Sequence, residues 1–274
     1  MTGTSDAPRT LRAALTDLDR PALGTWVKLP SVEVVELAAN AGFDLVVIDL
    51  EHSPLSVETA ATLIAVARLA GVAPVVRVPG LASGLVGRVL DAGAAGVMVP
   101  HVDSTANARA AVATVRFPPL GERGAGSTSR AGLWGALPPK EYVRQGQDDV
   151  VLIAQLESRA ACENAADVAA TDGVDAVLVG VADLSLSEGR AADDPVVTDL
   201  VARAVRAARR AGVPVGTAGA PTKDAAAAAF SAGFTFTMLG NDAGLLGAAM
   251  RSAVAGARAA ADSVTAPTHQ ETTP

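Results

Sequence analysis

The sequence predicts a (β/α)8 barrel, an α/β TIM barrel of parallel strands, and three observations carry that expectation. Short runs of β-branched residues alternate with longer alanine-rich stretches through most of the 274 residues. The strand runs are apolar throughout, as strands covered on both faces by helices must be. Gly42, Gly71, Gly93, Gly212 and Gly233 stand where the helical stretches stop, the place for a left-handed C-cap.

Taken in order, strands are expected at Thr25–Leu29, Leu45–Asp49, Pro74–Val78, Gly96–Pro100, Val151–Glu157, Ala176–Gly180, Pro214–Thr217 and Thr235–Leu239. Each is a short apolar run bounded by glycine, proline or charge. Between them, apolar residues recur at helical spacing over Val32–Ala41, Val57–Ala70, Gly84–Ala92, Thr105–Val115, Arg159–Ala170, Val196–Ala211 and Thr222–Ala232, and Asp242–Ala261 closes the set. Eight such units imply a closed barrel. An open doubly wound sheet is the alternative, but no Gly-x-Gly-x-x-Gly turn follows the first strand.

Three segments fall outside this alternation. Residues 9–19 read as a short helix able to plug the barrel floor, within an N-terminal segment 1–20. The barrel itself is expected over 21–262. Residues 116–150, rich in Gly, Pro and Arg, form a long insertion after the fourth unit, and insertions of this length usually serve function or a partner. The Thr/Pro-rich tail 263–274, which holds His269, is expected to be disordered.

Half the residues are hydrophobic and 19% are charged, so a large core can form. A net charge of −7 argues against a nucleic-acid partner, which favours a basic face. Aromatics at 3% are too few for a base-stacking platform. The single cysteine, Cys162, excludes an intrachain disulfide; its alanine neighbours suggest a buried, inert thiol on a helix. Residues 1–10 lack the apolar stretch of a secretory signal. Charges or glycines interrupt every apolar stretch before the ~18 residues a membrane span needs. A cytoplasmic protein without membrane contact is the expectation.

In such a barrel the C-terminal strand ends converge on one mouth. That rule gathers Asp49, Glu51 and His52 from the second strand, Arg77 from the third and His101 from the fourth. Gln155 and Glu157 come from the fifth strand, on one face because side chains alternate, and Gly180 to Asp183 from the sixth. Singly, each has a plainer reading. Asp183 before Leu-Ser could be a helix N-cap, Arg77 a structural ion pair, and either histidine a packing residue. Jointly, two acidic oxygen donors with open coordination suit a hard or borderline divalent cation.

The motifs Gly24-Thr-Trp26, Ile48-Asp-Leu-Glu-His52, Pro74-Val-Val-Arg77, Leu90-Asp-Ala-Gly93, Arg116-Phe-Pro-Pro-Leu-Gly-Glu-Arg123-Gly, Gln155-Leu-Glu157 and Gly180-Val-Ala-Asp-Leu-Ser185 occur in this order. In that register the chain resembles the HpcH/HpaI aldolase/citrate lyase family over about residues 20–260, in the subgroup of the 4-hydroxy-2-oxoheptanedioate aldolases. The resemblance implies a phosphoenolpyruvate/pyruvate-type barrel and a class II, metal-dependent aldolase, an aldehyde-lyase. It implies that Glu157 and Asp183 ligate Mg2+ or Mn2+, with Co2+ or Zn2+ as alternatives. His52 would be the base, Arg77 would bind the ketone oxygen of pyruvate, and Asp49 would be a further site carboxylate. Asp91 would be a hydrogen-bond partner of His52, within the chain or across a subunit boundary. Gln155 would hold a water or substrate, amides near Gly180 and Ala182 the substrate carboxylate, and Trp26 would shape the aldehyde pocket. The substrates would be a small 2-oxo acid and an aldehyde. The assembly would be a homo-hexamer, a trimer of dimers exchanging the C-terminal helix.

Two positions depart from the pattern. Lys28, two residues after Trp26 and so on the same strand face, stands where the family more often has a small residue. It keeps open a Schiff-base mechanism, pairing with a site carboxylate, or binding of an acidic aldehyde. Val181 stands where the family often has proline, which alters the carboxylate loop. Other readings remain at this level: a CoA-thioester lyase of the citrate lyase β type, an oxaloacetate decarboxylase or biosynthetic enzyme on the same site, and a non-catalytic barrel.

Overall fold

The computed structural model describes residues 9–81 and 84–265. Eight parallel strands close into a barrel in sequence order. They are β1 (Ala22–Val27), β2 (Leu45–Asp49), β3 (Ala73–Arg77), β4 (Gly96–Val99), β5 (Val151–Leu156), β6 (Ala176–Val179), β7 (Val215–Gly219) and β8 (Phe236–Asn241). The open-sheet alternative is thereby excluded.

Side-chain alternation divides the core into two layers. Outward residues such as Val46, Ile48, Val76, Val97, Leu152 and Val177 pack under α2 (Val32–Ala41), α3 (Val57–Ala70), α5 (Thr105–Val115) and α10 (Pro195–Arg210). Inward residues form a second cluster, including Ala22, Leu45, Val47, Val75, Ile153, Leu178 and Phe236. Its floor is α1 (Leu11–Thr16), which inserts Leu11, Ala14 and Leu15. A glycine makes room inside: a Cβ on Gly216 would stand 2.2 Å from the Phe236 ring that fills the barrel there.

Local chemistry explains where helices begin and end. Ser56 and Ser104 cap α3 and α5 by accepting the N–H of Thr59 and Asn107. Gly42 and Gly71 end α2 and α3 at φ 91° and 80°, in the left-handed region. α4 (Leu85–Asp91) follows β3. The stretch Arg159–Ala170, expected as one helix, is two: α7 (Arg159–Glu163) and α8 (Ala165–Ala169). They part at Asn164, which takes ψ 5° and whose side chain donates to Asp103 O at 2.8 Å. Cys162 on α7 is buried, and burial pushes its thiol pKa up to about 12, so it is unreactive.

The insertion is a folded clamp that carries α6 (Pro139–Asp148). Buried Arg116 ties it to the barrel, donating to Val150 O at 2.8 Å, Gln147 O at 3.1 Å and Gly173 O at 3.0 Å, and pairing with Asp175. After α11 (Lys223–Ser231) and β8, α12 (Asp242–Thr265) projects with nearly all of its side chains exposed. It runs four residues past Ala261, into the segment read as tail. Residues 266–274, with His269, lie outside the described residues, as do residues 1–8. No helix among the described residues is long and apolar enough to cross a membrane.

Candidate active site

The inward face of the strands changes character along its length. At the base it reads Ala22, Leu45, Val75, Val151 and Ala176; at the C-terminal end the same alternation delivers Trp26, Asp49, Arg77, Gln155 and Glu157. The polar mouth therefore stands on an apolar plug, in a partly dry setting where charge interactions are stronger than in water.

Asp49 and Arg77 are register partners on β2 and β3. Arg77 donates Nε and Nη2 to the two Asp49 oxygens at 2.9 and 2.7 Å, a bidentate fork. Asp49 is fully buried, which by itself would raise its pKa. The Arg77 and Lys28 contacts and the His52 N–H outweigh that burial and hold the carboxyl well below the usual carboxylate range. Arg77 Nη1 lies 3.2 Å from Glu51 Oε2, and the guanidinium stacks 4.3 Å from the centroid of Trp26.

Across the mouth, Glu157 is buried and approaches Asp183 around Gly180. A Cβ there would stand 2.9 Å from Glu157 Cγ, too close to be accommodated without moving that side chain, and 3.6 Å from Asp183 Oδ2, an ordinary contact. Glu157 Oε2 accepts the N–H of His101 at 3.2 Å, and His101 Nδ1 is also 3.2 Å away. Gln155 Nε2 donates to Glu157 Oε1. Burial raises the Glu157 pKa most, and the charges of Asp183 and Glu51 push the same way against His101.

These residues fit a divalent cation. Four carboxylates (Asp49, Glu51, Glu157 and Asp183) face two cations (Arg77 and Lys28), leaving two negative charges unmatched. Gln155 Oε1 is a buried acceptor without a hydrogen-bond donor among the described residues. No group of three or more His, Cys, Asp or Glu with metal-binding geometry occurs among the described residues. Two carboxylates with the remaining coordination open suits a cation that takes ligands from substrate and water.

A family model for HpcH/HpaI aldolase/citrate lyase matches residues 22–249. The chain belongs to this family. It is 38% identical over 240 residues to the hydroxypyruvate/pyruvate aldolase of Deinococcus radiodurans, covering 86% of this chain and 85% of that one. It is 36% identical over 226 residues to a pyruvate aldolase of Rhizobium etli, covering 82% and 88%. Among solved structures, a family member from Burkholderia cenocepacia J2315 superposes with TM-score 0.84 at 35% identity, covering 90% of this chain and 98% of that one. Macrophomate synthase superposes with TM-score 0.84 at 27% identity, covering 94% and 92%. The chain is a carbon–carbon lyase, so the reading as a non-catalytic barrel falls.

Within this lyase, Trp26, Lys28, Asp49, His52, Arg77, Gln155, Glu157, Gly180 and Asp183 come together at the mouth. Lys28 lies just beyond β1, with Nζ 2.8 Å from Asp49 Oδ2. His52 stands at the rim, its side chain 60% exposed and Nε2 3.8 Å from Glu51 Oε2. Asp183, expected at a strand end with a helix N-cap as its plainer reading, belongs to the first turn of α9 (Val181–Glu188), whose N-cap is Gly180. Gly180 and Ala182, paired in the expectation, differ here. The Gly180 N–H donates to Leu156 O at 2.9 Å and is spent, whereas Ala182 lies in the first turn of α9, where N–H groups have no intrahelical acceptor. Val181 at the first position of α9 keeps an N–H that proline would lack.

Asp91 is not at the mouth of its own chain. It ends α4 at the opposite end of the barrel, where Arg123 and Tyr142 of the insertion donate to its Oδ1 at 2.9 and 3.1 Å. The intrachain Asp91–His52 contact is therefore not formed, because α4 runs back to the far end of the barrel, where the inserted clamp pairs with the carboxylate. Glu51 and His101 reach further into the site than their place after the strands suggested. Glu51 continues the inward face of β2 beyond Asp49, two residues on. His101 turns back over the mouth at φ 56°, a conformation non-glycine residues rarely adopt.

Proposed function

We propose that this lyase is a class II pyruvate aldolase, cleaving a 4-hydroxy-2-oxo acid to pyruvate and an aldehyde and running the condensation in reverse. The observation that carries this reading is the Glu157–Asp183 pair around Gly180, opposite Arg77 and beside the first turn of α9. Naming of two relatives as pyruvate or hydroxypyruvate aldolases supports it.

The substrate carboxylate lies against the free N–H groups of Val181 and Ala182, favoured by the positive end of α9. Arg77 is held by Asp49 and Trp26, and Nη1, now 3.2 Å from Glu51 Oε2, is the donor left for the oxo oxygen. Glu157 and Asp183, with Gln155 beside them, would hold Mg2+ or Mn2+, which would supply Lewis-acid stabilisation of the charge developing on that oxygen. His52 removes the C4 hydroxyl proton. As the C4 carbonyl forms, the C3–C4 bond breaks and its electron pair moves onto C3 and the oxo oxygen as an enolate. The aldehyde leaves, and protonation at C3 gives pyruvate. A base of this kind contributes ~10²–10⁴-fold. A homo-hexamer is the assembly proposed, in which α12, exposed in the single chain, would be covered.

The decisive experiment screens pyruvate against an aldehyde panel with and without EDTA and added Mn2+, with His52→Ala as control. Metal-restored condensation, abolished in the variant, is expected. Full activity in EDTA, or inactivation by borohydride with pyruvate through Lys28, would sink the metal reading in favour of a Schiff base.

A further inference from the structure

Lys28 has no part in the chemistry above, yet its contacts are not those of a surface lysine. Nζ lies 2.8 Å from Asp49 Oδ2 and donates to His52 O at 3.2 Å. Asp49 Oδ1 in turn accepts the His52 N–H at 3.2 Å. Ammonium, carboxylate and peptide thus close a ring that grips the His52 backbone at both its N–H and its C=O. The lysine is fixed from behind as well. Its own N–H and that of Leu29 donate to Asp242 Oδ2 at 2.9 and 2.8 Å, and Asp242 is buried at the root of α12.

The imidazole needs such a grip. His52 follows β2 on an irregular segment, and among the described residues no side-chain hydrogen bond holds its exposed ring; Glu51, at 3.8 Å, is beyond hydrogen-bond reach. Where the ring stands is then decided by its backbone, and a displacement of ~1 Å in a catalytic group can cost ~10²-fold in rate. The Lys28 side chain is 27% exposed and Asp49 is fully buried, so the pair is held in one well-defined geometry.

We propose that Lys28 is a positioning residue that sets the place of the His52 imidazole through the His52 backbone. The catalytic consequence rests on the reading of His52 as base. Two reactions of one enolate separate that role from any other. Aldol cleavage requires an O–H proton to leave as C3–C4 breaks. Decarboxylation of oxaloacetate breaks a C–C bond to release CO2 and leaves the same enolate, with no proton to remove.

Lys28→Met keeps the stem and loses the ammonium. Aldol cleavage is expected to fall about 10–100-fold in kcat with KM little changed, while oxaloacetate decarboxylation stays within about threefold. Lys28→Arg should restore part of the loss, and in a His52→Ala background Lys28→Met should add none. Equal loss in both reactions would assign Lys28 to the Asp49–Arg77 charge balance instead, and no loss in either would also overturn the proposal. The histidine ring NMR signal of His52, assigned by its loss in His52→Ala, reads position without turnover. It should shift or broaden in Lys28→Met and recover in Lys28→Arg; an unchanged signal refutes positioning whatever the kinetics. A moved ring in an enzyme that catalyses neither reaction would keep the positioning role and discard His52 as aldol base.

Discussion

Asp49 and Arg77 stand opposite each other at the ends of neighbouring strands, and the guanidinium closes on the buried carboxylate through two parallel N–H donors. This pair is the fixed point of the mouth. It leaves Nη1 of Arg77 aimed toward Glu51, and it presents the second Asp49 oxygen to Lys28.

Replacing Asp49 by Asn should therefore cost both stability and activity. Breaking a buried pair by removing one partner typically costs about 3–5 kcal/mol. Burial opposes the ionised Asp49, but Arg77 and Lys28 prevail and its folded-state pKa is depressed. A depressed value means the contribution is present in full above the unfolded value near ~3.9 and is lost as pH falls toward the folded one. Urea unfolding of both proteins should show a difference that is flat between about pH 7 and 5 and shrinks by about pH 3. A difference that grew on acidification would contradict this.

Gly180→Ala isolates the spacing of the acidic pair. The backbone there has φ −82°, which alanine accepts, so the effect is the Cβ itself, 2.9 Å from Glu157 Cγ. Overpacking of this kind costs about 1–3 kcal/mol. Turnover should drop by more than about tenfold, because ~1 Å of displacement moves Glu157 off its station. A thermal melt alongside kinetics with and without excess Mn2+ separates the two effects. Unchanged kinetics would mean the pair tolerates looser spacing than the reaction proposed requires.

Arg116 gives the opposite pattern, stability without chemistry. Its guanidinium satisfies four carbonyls and Asp175 at the edge of the inserted clamp, away from the mouth. Arg116→Met leaves those carbonyls without their donor, while Asp175 keeps Arg12 and the Leu152 N–H, and a loss of about 1–3 kcal/mol is expected in denaturant unfolding. At a temperature where the variant stays folded, kcat/KM should remain within about twofold, since additive effects hold for distant sites. A large kinetic loss in a fully folded variant would tie the clamp to the active site.

Much of this architecture is legible in the chain because its cues are local. The bounds of α2, α3, α5 and β2 coincide with those read from the sequence, since serine caps, left-handed glycines and strand-ending charge act on adjacent residues. The misses have a common physical origin. α9 has eight residues directly after β6, too few for periodicity to separate it from a strand continuation. Asn164 splits a helical pattern through a hydrogen bond to Asp103, 61 positions away. His101, gathered at the mouth from its place after β4, takes a positive φ there that local sequence does not mark, and Asp91 lies at the far end of the barrel because α4 runs back from the mouth.

Glu157→Gln should expose a conflict between stability and function. Burial first, then the charges of Asp183 and Glu51, raise the Glu157 pKa, so its ionised form is disfavoured in the folded, metal-free protein. For a raised value, stability is greatest below the unfolded pKa near ~4.3 and falls as pH rises through the folded one. Glutamine keeps the shape and removes the charge. In EDTA at neutral pH the variant should melt at or above the wild-type temperature. Mn2+ should stabilise the wild type by about 2.7 kcal/mol at a hundred times its dissociation constant, and the variant far less. Turnover should fall at least about 10²-fold, because the charge that organises the developing enolate is gone. A variant that melts lower in EDTA, yet gains as much from Mn2+ as the wild type, would make Glu157 a structural acid held by His101 and Gln155.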